Sequence, residues 1–145
     1  MPILASRPST TRRIVSYASQ ASQYQEVAVR SASPGQLVVM VYDHLLLNLR
    51  RARLAVEQGN VELRATALDR ARAALGELLA TLDMERGGEI AGQLNGVYAF
   101  LLGELTDFAR RPSVARLDRV IGMADELRSA FALVAQQPVP VREVA

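Results

Sequence analysis

The sequence predicts an all-α protein, an antiparallel up-down-up-down four-helix bundle with a flexible N-terminal segment. Three observations lead there. Apolar residues recur at three- and four-residue steps through four segments of about 22–25 residues each. The stretches between them are short and rich in Gly, Asn, Pro and Ser, so consecutive helices must be antiparallel neighbours. Nothing alternates with the period of a strand, and no internal repeat is visible. The chain therefore divides into a segment over 1–33, a bundle over 34–136, and a tail over 137–145 that Pro138 and Pro140 keep from continuing a helix.

Residues 1–12 read as disordered, with Pro2, Pro8 and Ser9-Thr10-Thr11 breaking any period. From residue 13 to 28, Ile14, Tyr17, Ala21, Tyr24 and Ala28 recur on one face, the pattern of a short segment that docks. The first long helix begins at Ser33-Pro34. Ser33 is placed to cap it, Pro34 suits the first helical position, and Gln36 stands three residues on, where its side chain completes a capping box. From Leu37 to Tyr42 every residue is apolar, too many for one core-facing stripe. Leu37, Met40, Leu47 and Leu54 fall on a different flank from Val38, Tyr42, Leu45, Leu49, Ala52 and Val56. Either this helix is buried on two sides or it lends one to a partner.

Gly59 ends the first helix and Asn60 caps the second, whose expected stripe is Val61, Ala65, Leu68, Ala71, Leu75, Leu78 and Leu82. A loop over 83–88 turns at Gly87-Gly88. The third helix then runs to about Arg110, with Ile90, Leu94, Val97, Tyr98, Leu101, Leu105 and Phe108 inward. Gly92, Gly96 and Gly103 inside it each cost about 1 kcal/mol relative to alanine, and Gly96 and Gly103, a heptad apart, point to close helix–helix approach. Pro112-Ser113 restart the chain, and the fourth helix turns Val114, Leu117, Val120, Ile121, Ala124, Leu127, Phe131 and Val134 inward.

Composition excludes several functions. Cysteine is absent, which removes disulfides, thiolate nucleophiles and Cys-ligated zinc. Lysine is absent too, so neither a phosphate-loop lysine nor a Schiff base exists. The net charge of +2 is uneven: residues 1–33 hold four arginines against one glutamate, and the rest is nearly neutral. That balance indicates no nucleic-acid partner. No apolar run approaches the ~18 residues of a membrane span, so no membrane insertion is expected. The N-terminus superficially resembles an organellar transit peptide but lacks the apolar core of a secretory signal. The single histidine, His44, has no second histidine to complete a bundle metal site and no nucleophile elbow to serve. A non-enzymatic protein without metal or cofactor is expected.

The segment Ser31–Asp43, "SASPGQLVVMVYD", preceded by Tyr24 and followed by "LDMERGGEIAGQLNGVYAF" over residues 82–100, resembles the flagellar secretion chaperone FliS family. The similarity spans Tyr17 to Phe131. His44 stands where the family most often has a small residue, and Phe131 where many members have tryptophan. The resemblance implies a cytoplasmic export chaperone of flagellum biogenesis. It would bind the C-terminal segment of flagellin, prevent premature polymerisation, and assist delivery to a flagellar export gate component. On that reading Leu37, Met40, Val41, His44, Leu47 and Leu54 contact the client, while Tyr42 and Tyr98 sit on inner stripes as core or groove aromatics. The protein would be a monomer or weak homodimer. The competing expectation is a homodimeric regulatory or scaffold bundle with the first helix at the dimer interface.

Ile14, Tyr17 and Tyr24 are expected to act either as a removable cap over the client site or as direct client contacts. A tethered cap competes through its effective concentration, millimolar for short linkers, so weak docking still lowers apparent affinity. Deleting residues 1–28 should then preserve or strengthen client binding, measured by titration calorimetry, and promote self-association of the free protein. A tenfold loss of binding would instead make the tyrosines client contacts.

Overall fold

The computed structural model describes residues 32–136. They form α1 (Pro34–Gln58), α2 (Val61–Ala80), α3 (Gly88–Arg110) and α4 (Val114–Gln136), with no strand among the described residues. Each helix packs against the next, and α4 returns to α1, which closes an all-α four-helix bundle. The expected cap and client residues Ile14, Tyr17 and Tyr24 lie outside the described residues.

The connections follow local chemistry. Gly59 adopts φ 65°, and the amides of Gly59 and Asn60 bond back to the carbonyls of Val56 (3.2 Å) and Ala55 (2.8 Å). This closes α1 in a left-handed turn that favours glycine. Asn60 Oδ1 then accepts from the Leu63 amide at 3.0 Å, so one residue separates the end of α1 from the cap of α2. In the α2–α3 connection, Asp83 Oδ1 accepts from the amides of Glu85 (3.1 Å) and Arg86 (3.0 Å), and the Gly87 amide reaches Asp83 O at 2.7 Å. A Cβ at Gly87 would meet Ala91 Cβ at 2.6 Å and Asp83 O at 2.7 Å, so the turn admits only glycine without rearrangement. Arg111 is extended before Pro112, as the residue before proline must be, and the Ser113 hydroxyl accepts from the Arg116 amide at 3.2 Å to start α4.

The α1–α4 seam shows its direction in charge pairs. Asp43 meets Arg128 (2.7 Å), Arg50 meets Asp125 (4.0 Å) and Arg53 meets Asp118 (2.7 Å), numbers rising in one helix as they fall in the other. Arg53 also pairs with Glu57 one turn on. Arg116 of α4 reaches Glu104 (3.3 Å) and Asp107 (3.9 Å) of α3. All these groups are partly exposed, and such pairs contribute ~0–1 kcal/mol each, so they favour one alignment more than they stabilise it.

Apolar burial supplies the stability. The core is built from Tyr42, Leu45, Leu49 and Ala52 of α1, Leu68, Ala71, Leu75 and Leu78 of α2, Tyr98, Leu101, Leu105 and Phe108 of α3, and Leu117, Val120 and Ala124 of α4. Several expected stripe residues are not in it. Val61 is exposed at the first turn of α2, as is Ala65, and Ala67 and Ala74 are buried instead. Ile90 and Val134 are 69% and 65% exposed, because each sits in a terminal turn with too little neighbouring helix to cover it. The glycines of α3 differ as well. A Cβ at Gly92, Gly96 or Gly103 would meet nothing within 4 Å, so no close approach inside the bundle accounts for them.

At the centre, the hydroxyls of Tyr42 and Tyr98 bond each other at 2.6 Å, and Phe131 lies 5.4 Å from the Tyr42 ring. Burial, with the partner hydroxyl second, raises the Tyr42 pKa above its ordinary value, and burial likewise raises that of Tyr98. A raised pKa in the folded state means the stabilisation is fully present below the ordinary value of 10.0 and is lost as pH rises above it. Tyr42→Phe should cost about 1–3 kcal/mol in urea unfolding at neutral pH, because the Tyr98 hydroxyl is left buried and unpaired. Tyr42→Phe/Tyr98→Phe should cost less than the two single changes together. The double variant should also lose part of the alkaline decline in stability.

Candidate functional site

The end of the bundle where α1 and α3 begin and α2 and α4 finish holds an apolar cleft of about 200 Å³. Val38 of α1, Leu82 after α2, Ile90, Ala91 and Leu94 of α3, and Phe131 of α4 supply its walls, with Tyr98 also lining it. Its polar groups are already engaged. Thr81 Oγ1 donates to Leu78 O at 2.6 Å, Asp83 holds the loop amides, and the Tyr98 hydroxyl is bonded to Tyr42. The cleft therefore offers an occupant mainly apolar contact and shape. Gly87 lines the cleft too, at a turn with no room for a side chain.

The second flank of α1 is solvent-facing along much of its length. Leu37, Leu47 and Leu54 are exposed, the latter two at 45% and 47%, and His44 is exposed beside them. Of the two alternatives the sequence leaves open, burial of α1 on both sides within its own bundle is thus excluded. Met40 is half-buried. Val41 departs from expectation, because it packs against the hydrophobic core on the flank that faces the bundle. Of the cap residues, Ser33 is half-buried, and Pro34 and Gln36 are exposed at the first turn. His44 takes part in a local pair: Asn48 Nδ2 donates to His44 O at 2.9 Å and lies 3.3 Å from His44 Nε2. Among the described residues no cluster of three His, Asp or Glu could hold a metal ion.

Sequence reading missed two features and misassigned a third. Asn48 is fully buried although it interrupts a run of leucines, and its Oδ1 has no partner among the described residues. Phe100 is 53% exposed on α3. The third is a solvent-facing track, Gly92, Gly96 and Gly103, lying beside it on the outer face of the same helix. The signal for Phe100 was available, since it lies out of phase with Leu94, Tyr98, Leu101 and Leu105. With it, the exposed leucines of α1 and the cleft define three apolar surfaces on one small bundle.

Such a bundle, with large apolar side chains left outside a filled core, is by class a helical binding module. Comparison with known proteins agrees and is more specific. The chain belongs to the FliS family: the family described as flagellar protein FliS matches residues 17–138. The chain is 37% identical over 107 residues to the flagellar secretion chaperone FliS of Salmonella typhimurium, covering 73% of this chain and 79% of that one. It is 30% identical over 120 residues to the flagellar secretion chaperone FliSB of Pseudomonas aeruginosa, covering 79% and 95%. To the flagellar secretion chaperone FliS of Vibrio cholerae it is 31% identical over 112 residues, covering 74% and 82%.

The two flanks of α1 make opposite demands on substitution. Leu47→Asp and Leu54→Asp should shift unfolding free energy by less than about 0.5 kcal/mol and leave helicity unchanged in circular dichroism. Leu45→Asp buries an unpaired carboxylate and should cost about 3–5 kcal/mol, enough to unfold a marginal domain. Met40→Asp, at a half-buried position, should fall between them.

Proposed function

We propose that this protein is a cytoplasmic, non-enzymatic export chaperone that holds the C-terminal segment of flagellin unpolymerised and delivers it to a component of the flagellar export gate. The observation that carries the reading is the amount of large apolar side chain left in solvent on a small bundle, Leu47, Leu54, Ile90 and Phe100 together with the cleft. Soluble monomers rarely leave such surface without a partner for it. Amphipathic client segments meet this kind of surface in the helix-in-groove mode, driven by burial at about 25 cal/mol per Å² less the cost of ordering the client.

The assignment of surfaces rests on chemistry. Leu37, Met40, Leu47 and Leu54 form one client contact on α1, with His44 at its edge. Val41 supports that contact from the core side. The glycine track of α3 admits a client helix at short backbone distance, and Phe100 flanks it. Residues 13–28, with Ile14, Tyr17 and Tyr24, act as the removable cap. The name shared by the relatives, flagellar secretion chaperone, supports the export role, and a mostly apolar cleft suits a client that enters and leaves without covalent chemistry.

Sedimentation with and without a peptide of the flagellin C-terminal segment tests the reading. A monomer that becomes a 1:1 complex is expected, and Leu47→Asp should abolish the shift. A tight dimer indifferent to the peptide would overturn the chaperone assignment in favour of the homodimeric scaffold.

A further inference from the structure

Charge is sorted along the bundle. Among the described residues, the half distal to the cleft (47–70 and 100–124) holds nine arginines and six carboxylates, and the half around the cleft holds three arginines and seven carboxylates. The ion pairs sharpen the contrast. In the distal half the carboxylates other than Glu62 are engaged, by Arg53, Arg72 or Arg116. Arg51, Arg64, Arg70, Arg110, Arg111 and Arg119 have no carboxylate within ion-pair distance among the described residues. Both unpaired cations of the third helix and its connection, Arg110 and Arg111, stand at the very end of the bundle.

The placement of these six is specific. They come from α1, α2, α3, the α3–α4 connection and α4 in turn, and all but half-buried Arg64 are exposed. At 1.5 Å per residue, each lies within about 14 Å of the distal end. They make a collar around this pole and not a stripe along one face. A peptide laid along one helix would meet one or two of them; a flat anionic surface approached end-on meets most. Guanidinium groups stay charged and pair bidentately with phosphate. The excess carboxylates at the cleft end would be repelled by the same surface, which fixes the orientation with the cleft pointing away.

We propose that the distal pole is a peripheral docking surface for anionic lipid headgroups, holding the protein end-on at a membrane with its cleft turned away from the bilayer. The association is electrostatic, without insertion, and no described helix is long and apolar enough to cross a membrane. Its test is separable from the client reading, because Arg110 and Arg111 are not among the residues assigned to the client, although Arg51 stands beside Leu47 and Leu54.

Co-sedimentation of the full chain with vesicles tests it. Equal parts phosphatidylglycerol and phosphatidylcholine should retain the protein at low salt, phosphatidylcholine alone should not, and about 0.5 M salt should release it. Arg110→Glu/Arg111→Glu should weaken binding to the anionic vesicles at least about tenfold while melting like the parent. Arg110→Gln/Arg111→Gln gives a milder loss should charge reversal disturb the fold. Arg86→Glu, at the cleft end, should bind as the parent does. Retention unchanged in both double variants would assign the binding to the N-terminal arginines and overturn the proposal. Equal binding to neutral vesicles would also overturn it. So would binding of a polyglutamate peptide, lost in the double variants, without any vesicle binding, in favour of an acidic protein partner. Flagellin-peptide binding by the same variants separates this outcome from the fate of the chaperone reading.

Discussion

The hydroxyl bond between Tyr42 and Tyr98 is the constraint on which the rest of the architecture depends. It joins α1 to α3, which are not sequence neighbours and share few other contacts. Each hydroxyl is buried, and each would be costly there without the other. The pair therefore selects the arrangement in which both helices bring the same layer to the centre. Phe131 from α4 packs on Tyr42 in that layer, and Tyr98 and Phe131 both line the cleft. The cleft is the space left above a polar bridge that cannot move without breaking.

This arrangement separates what holds the bundle together from what it presents. Leucines, alanines and the two tyrosines fill the centre, and charge pairs along α1–α4 and α3–α4 favour one antiparallel alignment at little net cost or gain. The apolar side chains on the outside contribute almost nothing to folding. Leu47 and Leu54 on α1, and Phe100 beside the glycines of α3, are expensive in solubility and, for the glycines, in helix propensity. A surface maintained at such cost in a member of the FliS family is consistent with binding, and the cleft adds a mostly apolar site.

The two poles complement one another. One carries the cleft and an excess of carboxylates, the other the short α1–α2 and α3–α4 connections and the unpaired arginines. Because the pairs along the seams consume most of the distal carboxylates, the distribution of spare charge is more polar than the near-neutral composition of the bundle would indicate. A small protein can in this way have a directional field without a large net charge.

Helix number, helix ends and antiparallel order were all legible in the residues. Gly59-Asn60, Gly87-Gly88 and Pro112-Ser113 are local signals, and local signals act through backbone geometry that neighbours do not change. The family was legible too, from two motifs in the right order. The inward flank of α1 also followed from its period, and Val38, Tyr42, Leu45, Leu49 and Ala52 lie where it placed them. What periodicity left undecided was how far along each stripe burial extends. Ile90, Val61 and Val134 are in phase with the core yet exposed, because burial needs a neighbouring helix at the same height and only tertiary packing sets where each helix ends relative to the others. The same holds for the glycines of α3, whose outward face depends on how the whole helix is rotated, and for Asn48, buried by the approach of its neighbours. The cleft and the sorting of spare arginines to one pole are likewise properties of tertiary structure. Both arise from residues far apart in the chain, and no period in the sequence encodes which ends of four helices meet.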